Sequence, residues 1–169
     1  MLEYVIGQKI KTILADLNYL YEDNFMDIDG TILLRMSGNA KGVLRASQIA
    51  TAEENNFTIA IYGTKGHLKW AQENPNYLYF GLENTPLQVL KPGHEYNTNS
   101  ANDATKLPPG HPEGIFDAMG NIYNGVANAI AKKAVDGSYP DLYDGVRGMQ
   151  FIEAVVQSHQ SGNTWIEMK

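Results

Sequence analysis

The 169-residue sequence predicts an α+β fold, with an open, mostly antiparallel or mixed β-sheet, helices packed on one face and the opposite face left free. Three observations carry this expectation. Short segments rich in Ile, Leu, Val and Tyr follow one another through turns containing Gly, Asn or Lys. Two amphipathic stretches with helical spacing come only after those segments. The end of the chain, residues 139–168, is a marked helix start, a long helix and a short closing strand.

Taken in order, Met1 to Ile6 read as the last turn or two of a helix, with Gly7 as its C-terminal cap. A helix this short is marginal alone, so it reads as the tail of a longer one and the chain as a C-terminal fragment. Lys9 to Tyr21 are rich in Ile, Leu and Tyr and predict a strand over much of that stretch, entering the polar turn Glu22-Asp23-Asn24. GTILLRMS and GVLRASQIAT, joined through Gly38-Asn39-Ala40-Lys41, form a β-hairpin. FTIAIYG and HLKWAQ flank Gly63-Thr64-Lys65-Gly66, and NYLYFGL and PLQVLK add two further strands. Gly93 to Gly110 then lack any hydrophobic period, and a loop of this length is a natural carrier of function. It delivers a helix with Ile115, Met119, Ile122, Val126 and Ile130 on one stripe, expected to pack on the sheet. In the final helix, Asp141 and Asp144 mark the start, Leu142, Val146, Met149, Ile152 and Val156 the expected core stripe, and Gly162 the stop. TWIEM is the closing strand.

Length and composition fit one domain spanning residues 1–169. The formal net charge of −6 and the lack of basic clusters interleaved with aromatics argue against nucleic acid as a partner. No run approaches the roughly 20 apolar residues that span a bilayer, so no membrane partner is expected. The absence of cysteine excludes disulfides and thiolate metal sites and fits a reducing cytoplasm.

His111, between Gly110 and Pro112 at a loop-to-helix junction, is placed to hydrogen-bond a substrate hydroxyl; the alternative is that it caps or packs the junction. His67, His94 and His159 show no metal-ligand spacing, and no metal site is expected. Asp27 and Asp29 alternate into a strand, as a hydrolase's carboxylate pair or as a solvated turn. Gly63 to Gly66 match the GxxG of an RNA-binding loop but lack its helical context, and read as a hairpin turn. Arg45, Ser47 and Gln48 are polar groups in an apolar strand that line a cleft or face water. No GxGxxG, GxSxG or P-loop is present, so no complete active site is legible.

The order of SQIAT, IYGTKGHLKW, PPGHPEGIFDAMGNIYNGVANAI and PDLYDGVRGMQFIEAVVQS with TWIEM resembles the C-terminal domain of the glucose–fructose oxidoreductase, inositol dehydrogenase and MocA family. The resemblance covers nearly the whole chain. It implies the substrate-binding and oligomerisation half of an NAD- or NADP-dependent oxidoreductase acting on a sugar, cyclitol or related polyol. LEYVIG matches the tail of the helix entering this domain. The dinucleotide fingerprint, the Glu-Lys-Pro lysine and the Asp and His of that entering helix find no counterpart, so no catalytic or cofactor-binding residue is expected in this chain. By the same resemblance His111 and Glu113 would border the substrate pocket, with Arg45 and Gln48 as further contacts. The free sheet face would join subunits into a homo-oligomer. The rival reading is a stand-alone, non-catalytic ligand-binding or self-associating domain.

Overall fold

The computed structural model describes residues 1–19, 26–133 and 139–169. The predicted turn at 22–24 and the end of the first predicted strand lie outside these. The α+β class holds, with two four-stranded antiparallel sheets and four helices among the described residues. The strands divide between the two sheets instead of forming one, and the chain falls into two compact units, 1–52 with 140–169, and 53–139.

The first unit contains helix α1 (Leu2–Ile6), strands β1 (Ile10–Asn18), β2 (Asp29–Met36) and β3 (Lys41–Ser47). After the second unit the chain returns as helix α4 (Leu142–Gln160) and strand β8 (Ile166–Glu167). The sheet order is β3-β2-β1-β8, all neighbours antiparallel. Strict alternation decides the faces: Ile13, Ala15 and Leu17 of β1 and Ile32, Leu34 and Met36 of β2 are buried, while Thr31, Leu33 and Arg35 are exposed. Ala154 and Val155 of α4 complete the core. The outer face is mixed: Leu14, Leu33 and Val43 lie in register across three strands, flanked by charged side chains, and the Arg35 guanidinium lies 4.2 Å over the Trp165 ring.

Sequence signals for the ends of these elements hold. Gly7 adopts φ 67° and its amide bonds Glu3 O, Asn39 makes the β2–β3 turn at φ 67°, and Gly162 ends α4 at φ 79°. Asp141 accepts from the Asp144 amide at 3.0 Å while Asp144 accepts from the Asp141 amide at 2.9 Å, a reciprocal capping box.

The face by which α4 packs differs from expectation. Leu142, Val146, Met149 and Ile152 are exposed, and the opposite face, Phe151, Ala154, Val155 and Ser158, meets the sheet. The helix carries two apolar stripes, and polar pairing distinguishes them. β8 pairs with β1 only at Thr12 and Ile13, which leaves further edge amides of β1 in need of acceptors. Ser158 Oγ, fully buried, accepts from the Ala15 amide at 2.8 Å and donates to Thr164 O at 2.6 Å, and His159 Nδ1 accepts from the Leu17 amide at 3.2 Å. At the same helix's start Arg147 reaches Glu3, Ile10 O and Lys169 O.

The second unit contains β4 (Thr58–Tyr62), β5 (Gly66–Ala71), β6 (Leu78–Leu82), β7 (Gln88–Leu90), helix α2 (Asn99–Ala104) and helix α3 (Ile115–Ile130). Its sheet is a meander in the order β4-β5-β6-β7. Ile59, Ile61, Leu68, Trp70 and Phe80 share one face, half-buried; Trp70 Nε1 donates to Pro75 O at 2.9 Å and its ring meets Phe57 edge-on. Among its described residues no large hydrophobic side chain is buried. The predicted stripe of α3 is accordingly open: Ile115, Met119, Val126 and Ile130 are exposed, as are Phe116 and Tyr123, and Ile122 alone of that stripe is half-buried.

Candidate functional site

The segment singled out as a long functional loop is shaped by local polar contacts, and α2 interrupts it. Thr98 Oγ1 caps α2 by accepting from the Ala101 amide. Before α2, Asn97 Nδ2 donates to Lys91 O at 2.8 Å and the His94 ring stacks on Tyr96, and from within α2 Asn102 Nδ2 donates to His94 O at 3.1 Å. After it, Asn121 Nδ2 on α3 donates to Ala104 O at 2.7 Å. Gly93, at φ 77°, lies against Pro109, where an added Cβ would come within 3.3 Å of the proline ring. Loops rich in Asn and Thr hold a shape by such side-chain to backbone bonds when no apolar period is available.

Glu113 is the centre of this arrangement. Its Oε1 accepts from two successive amides, Lys106 at 2.6 Å and Leu107 at 2.5 Å. Its own backbone is bonded on both sides by Asn76, in the turn between β5 and β6: Asn76 Nδ2 donates to Glu113 O at 2.9 Å, and the Glu113 amide donates to Asn76 Oδ1 at 3.0 Å. Asp117 Oδ2 then accepts from the Gly114 amide at the start of α3. His111, within the bracketed segment, is exposed; its amide bonds Pro108 O at 3.1 Å and its Nδ1 sits 3.2 Å from that oxygen. Sequence reading named His111 and Glu113 but missed Asn76, whose partner lies 37 residues away.

Arg45 and Gln48 belong to the first unit, His111 and Glu113 to the second. Arg45, exposed on the outer face of β3, has its Nη2 3.6 Å from Oδ1 of the half-buried Asp29, and Gln48 is exposed just beyond β3, its amide bonding Ile28 O at 2.7 Å. That pair engages Asp29, while Asp27 is exposed, so the two carboxylates of the hydrolase alternative sit in different surroundings. His67 stacks on Tyr62 and His159 serves β1, and among the described residues no cluster of His, Asp and Glu could hold a metal ion. Gly63 to Gly66 form the β4–β5 hairpin turn, with the Gly63 amide on Gly66 O at 2.8 Å. A hollow of about 350 Å³ is lined by Lys9, Ile10, Lys11, Ser37, Arg147 and Met168; none of the four predicted site residues borders it.

An ionic cluster around Glu3 joins residues that no local sequence pattern connects. Glu3 takes Arg147 Nη2 at 2.9 Å, the Ile10 amide at 2.7 Å and Lys9 Nζ at 3.1 Å. Partial burial works against its charge, but Arg147, the Ile10 amide and Lys9 outweigh it and hold the carboxyl below its ordinary value of 4.5. This cluster joins α1, β1 and α4 within the first unit and is structural in character.

These features define a two-sheet α+β fold with a loop ordered by side-chain to backbone bonds around Glu113. The family model described as "Oxidoreductase family, C-terminal alpha/beta domain" of the Gfo/Idh/MocA group matches residues 19–168, and the chain belongs to this family. An uncharacterized oxidoreductase, YfiI, of Bacillus subtilis (strain 168) is 30% identical over 169 residues, covering 95% of this chain and 43% of that protein. The crystal structure of an oxidoreductase from Sinorhizobium meliloti superposes with a TM-score of 0.91 at 35% identity, covering 97% of this chain and 48% of the other. An inositol dehydrogenase homolog from Azotobacter vinelandii, solved with NADH and myo-inositol, gives a TM-score of 0.81 at 26% identity over 96% of this chain and 45% of the other. The chain thus spans a little under half the length of these relatives. Among the described residues no helix is long and apolar enough to cross a membrane.

Proposed function

We propose that this chain is the substrate-side half of a nicotinamide-dependent oxidoreductase acting on a sugar, cyclitol or related polyol. Hydride passes between a substrate carbinol carbon and NAD or NADP held by a dinucleotide-binding domain preceding residue 1, and this chain alone binds no nicotinamide. The single observation that carries the reading is the family match over residues 19–168 combined with the open apolar stripes of α3 and α4. Exposed apolar stripes along a helix are what a domain presents when a second folded body covers it. The nicotinamide and myo-inositol held by the Azotobacter vinelandii relative support the substrate and cofactor class.

In this reading His111 borders the substrate pocket, Glu113 shapes it, and Arg45 and Gln48 are further contacts. The outer face of the first sheet, with Leu33 and Val43 exposed, joins subunits of a homo-oligomer. The test is oxidation of a panel of polyols, myo-inositol, glucose and sorbitol among them, with NAD and NADP, by the protein translated from the whole reading frame. Polyol-dependent formation of reduced nicotinamide is expected. Turnover confined to substrates without vicinal hydroxyls, or none at all, overturns the reading.

A further inference from the structure

We infer that Asn76 and Glu113 are positioning residues that fix His111 as an outward-facing hydrogen-bond acceptor for a substrate hydroxyl. This deepens the proposed function and rests on it for the identity of the ligand, but the geometry that carries it lies wholly within the second unit.

The Glu113 carboxylate turns one oxygen, Oε1, onto the backbone of its own loop. Its Oε1 already accepts from the Lys106 and Leu107 amides, at 2.6 and 2.5 Å. An oxygen so engaged, with its main chain held on both sides by Asn76, acts on the loop and not on a ligand. The segment from Lys106 to Glu113 is thereby closed at both ends and anchored to the β5–β6 turn. His111 is the exposed ring inside that closed segment, and its Nδ1 faces Pro108 O.

A carbonyl oxygen offers lone pairs only, so the ring nitrogen beside it carries the proton. In the neutral imidazole the other nitrogen, Nε2, is then bare and can only accept. A bare Nε2 takes a hydroxyl donor and is repelled by the lone pairs of a carboxylate or a phosphate. In its neutral form the ring so held offers Nε2 to a hydroxyl donor, and that tautomer depends on where Pro108 O is held. Pro108 lies one residue beyond the Leu107 amide that Glu113 binds.

Two measurements on the full 169-residue chain test the positioning without any ligand. In Glu113→Ala and Asn76→Ala the amides of Lys106 and Leu107 exchange about tenfold faster or more, while Glu113→Gln, which keeps an acceptor oxygen, stays within about twofold of the unmodified chain. Nitrogen chemical shifts of His111 above neutral pH report a protonated Nδ1 and a bare Nε2 in the unmodified chain and in Glu113→Gln, and a shift toward the other tautomer in the two alanine variants. A predominantly Nε2-protonated ring in the unmodified chain, or exchange unaltered by Glu113→Ala, overturns the inference.

The third measurement uses the protein with its dinucleotide-binding region and whichever polyol of the panel it oxidises. KM rises about tenfold in Glu113→Ala with kcat within about threefold, and Glu113→Gln restores KM. Equal loss in Glu113→Gln and Glu113→Ala means that the carboxylate charge acts on the ligand, and the positioning role fails. If no polyol is oxidised while the exchange and tautomer results hold, the functional reading fails and the loop geometry stands.

Discussion

Ser158 and Glu3 show how much of the first unit depends on single polar side chains. Ser158 is fully buried and supplies the acceptor that the β1 edge lacks at Ala15. Ser158→Ala leaves that amide and Thr164 O without their partner, and a loss of about 1–3 kcal/mol is expected, read from urea unfolding. Glu3 sets an acid limit. Its carboxyl is held below the unfolded value near 4.5, so its contribution is complete above that pH and is lost as the pH falls through the depressed folded value. Glu3→Gln should flatten the acid limb of the stability profile below about pH 4.5 and leave a smaller, pH-independent deficit above it. Legibility at this scale follows sequence distance. Asp141 as the helix cap and Gly7 as the C-terminal cap are local signals and were read directly, whereas the return bond from the Asp141 amide to Asp144 was not. Ser158 bonds a residue 143 positions away and Arg147 one 144 away, and no local pattern marks either.

Among elements, the strands were the most legible because their period and turn residues are local. β2, β3 and their turn follow the predicted hairpin, and β4 to β7 follow the four predicted segments. Helix faces were not legible, because α4 carries two apolar stripes and the packed one contains a serine and an arginine. A pair of substitutions reads this out. Val155→Asp places an unpaired charge in the core and is expected to cost more than about 4 kcal/mol or to prevent folding. Val146→Asp, on the exposed stripe, should alter the stability of this chain by no more than about 0.5 kcal/mol in thermal unfolding. The reverse order would assign the core to the stripe that the hydrophobic pattern favours. In the second sheet, a Cβ at Gly66 would strike the Gly81 carbonyl oxygen, a backbone atom that cannot swing away. Gly66→Ala is therefore expected to destabilise the β5–β6 pairing by about 1–3 kcal/mol, seen as faster amide exchange in both strands.

At the scale of the whole molecule the two units differ in kind. The first has a closed core around Ile13, Leu34 and Val155; the second has no buried large hydrophobic side chain among its described residues. Sequence reading treated residues 1–169 as one domain, and we keep that as a proposal for the assembled protein. Each unit has its own tryptophan, Trp165 in the first and Trp70 in the second. With single-tryptophan variants of this chain alone, Trp70 fluorescence should change at lower urea than Trp165, since apolar burial supplies most of a domain's stability. If the proposed dinucleotide-binding domain covers the open faces, its presence should bring the two midpoints together. The family was legible in the joint order of SQIAT, GHPEG and the final helix and strand. Of the candidate site, His111 and Glu113 were legible from the local GHPEG pattern, whereas Asn76, which holds Glu113 from 37 residues away, was not.

The most direct test of this account is to compare nicotinamide reduction by this chain with that by the protein translated from the whole reading frame, which the proposed function takes to be longer. The account predicts polyol-dependent reduction of NAD or NADP by the longer protein and neither turnover nor nicotinamide binding by residues 1–169. Turnover by residues 1–169 alone, or a longer protein that reduces neither cofactor with any polyol, would contradict it.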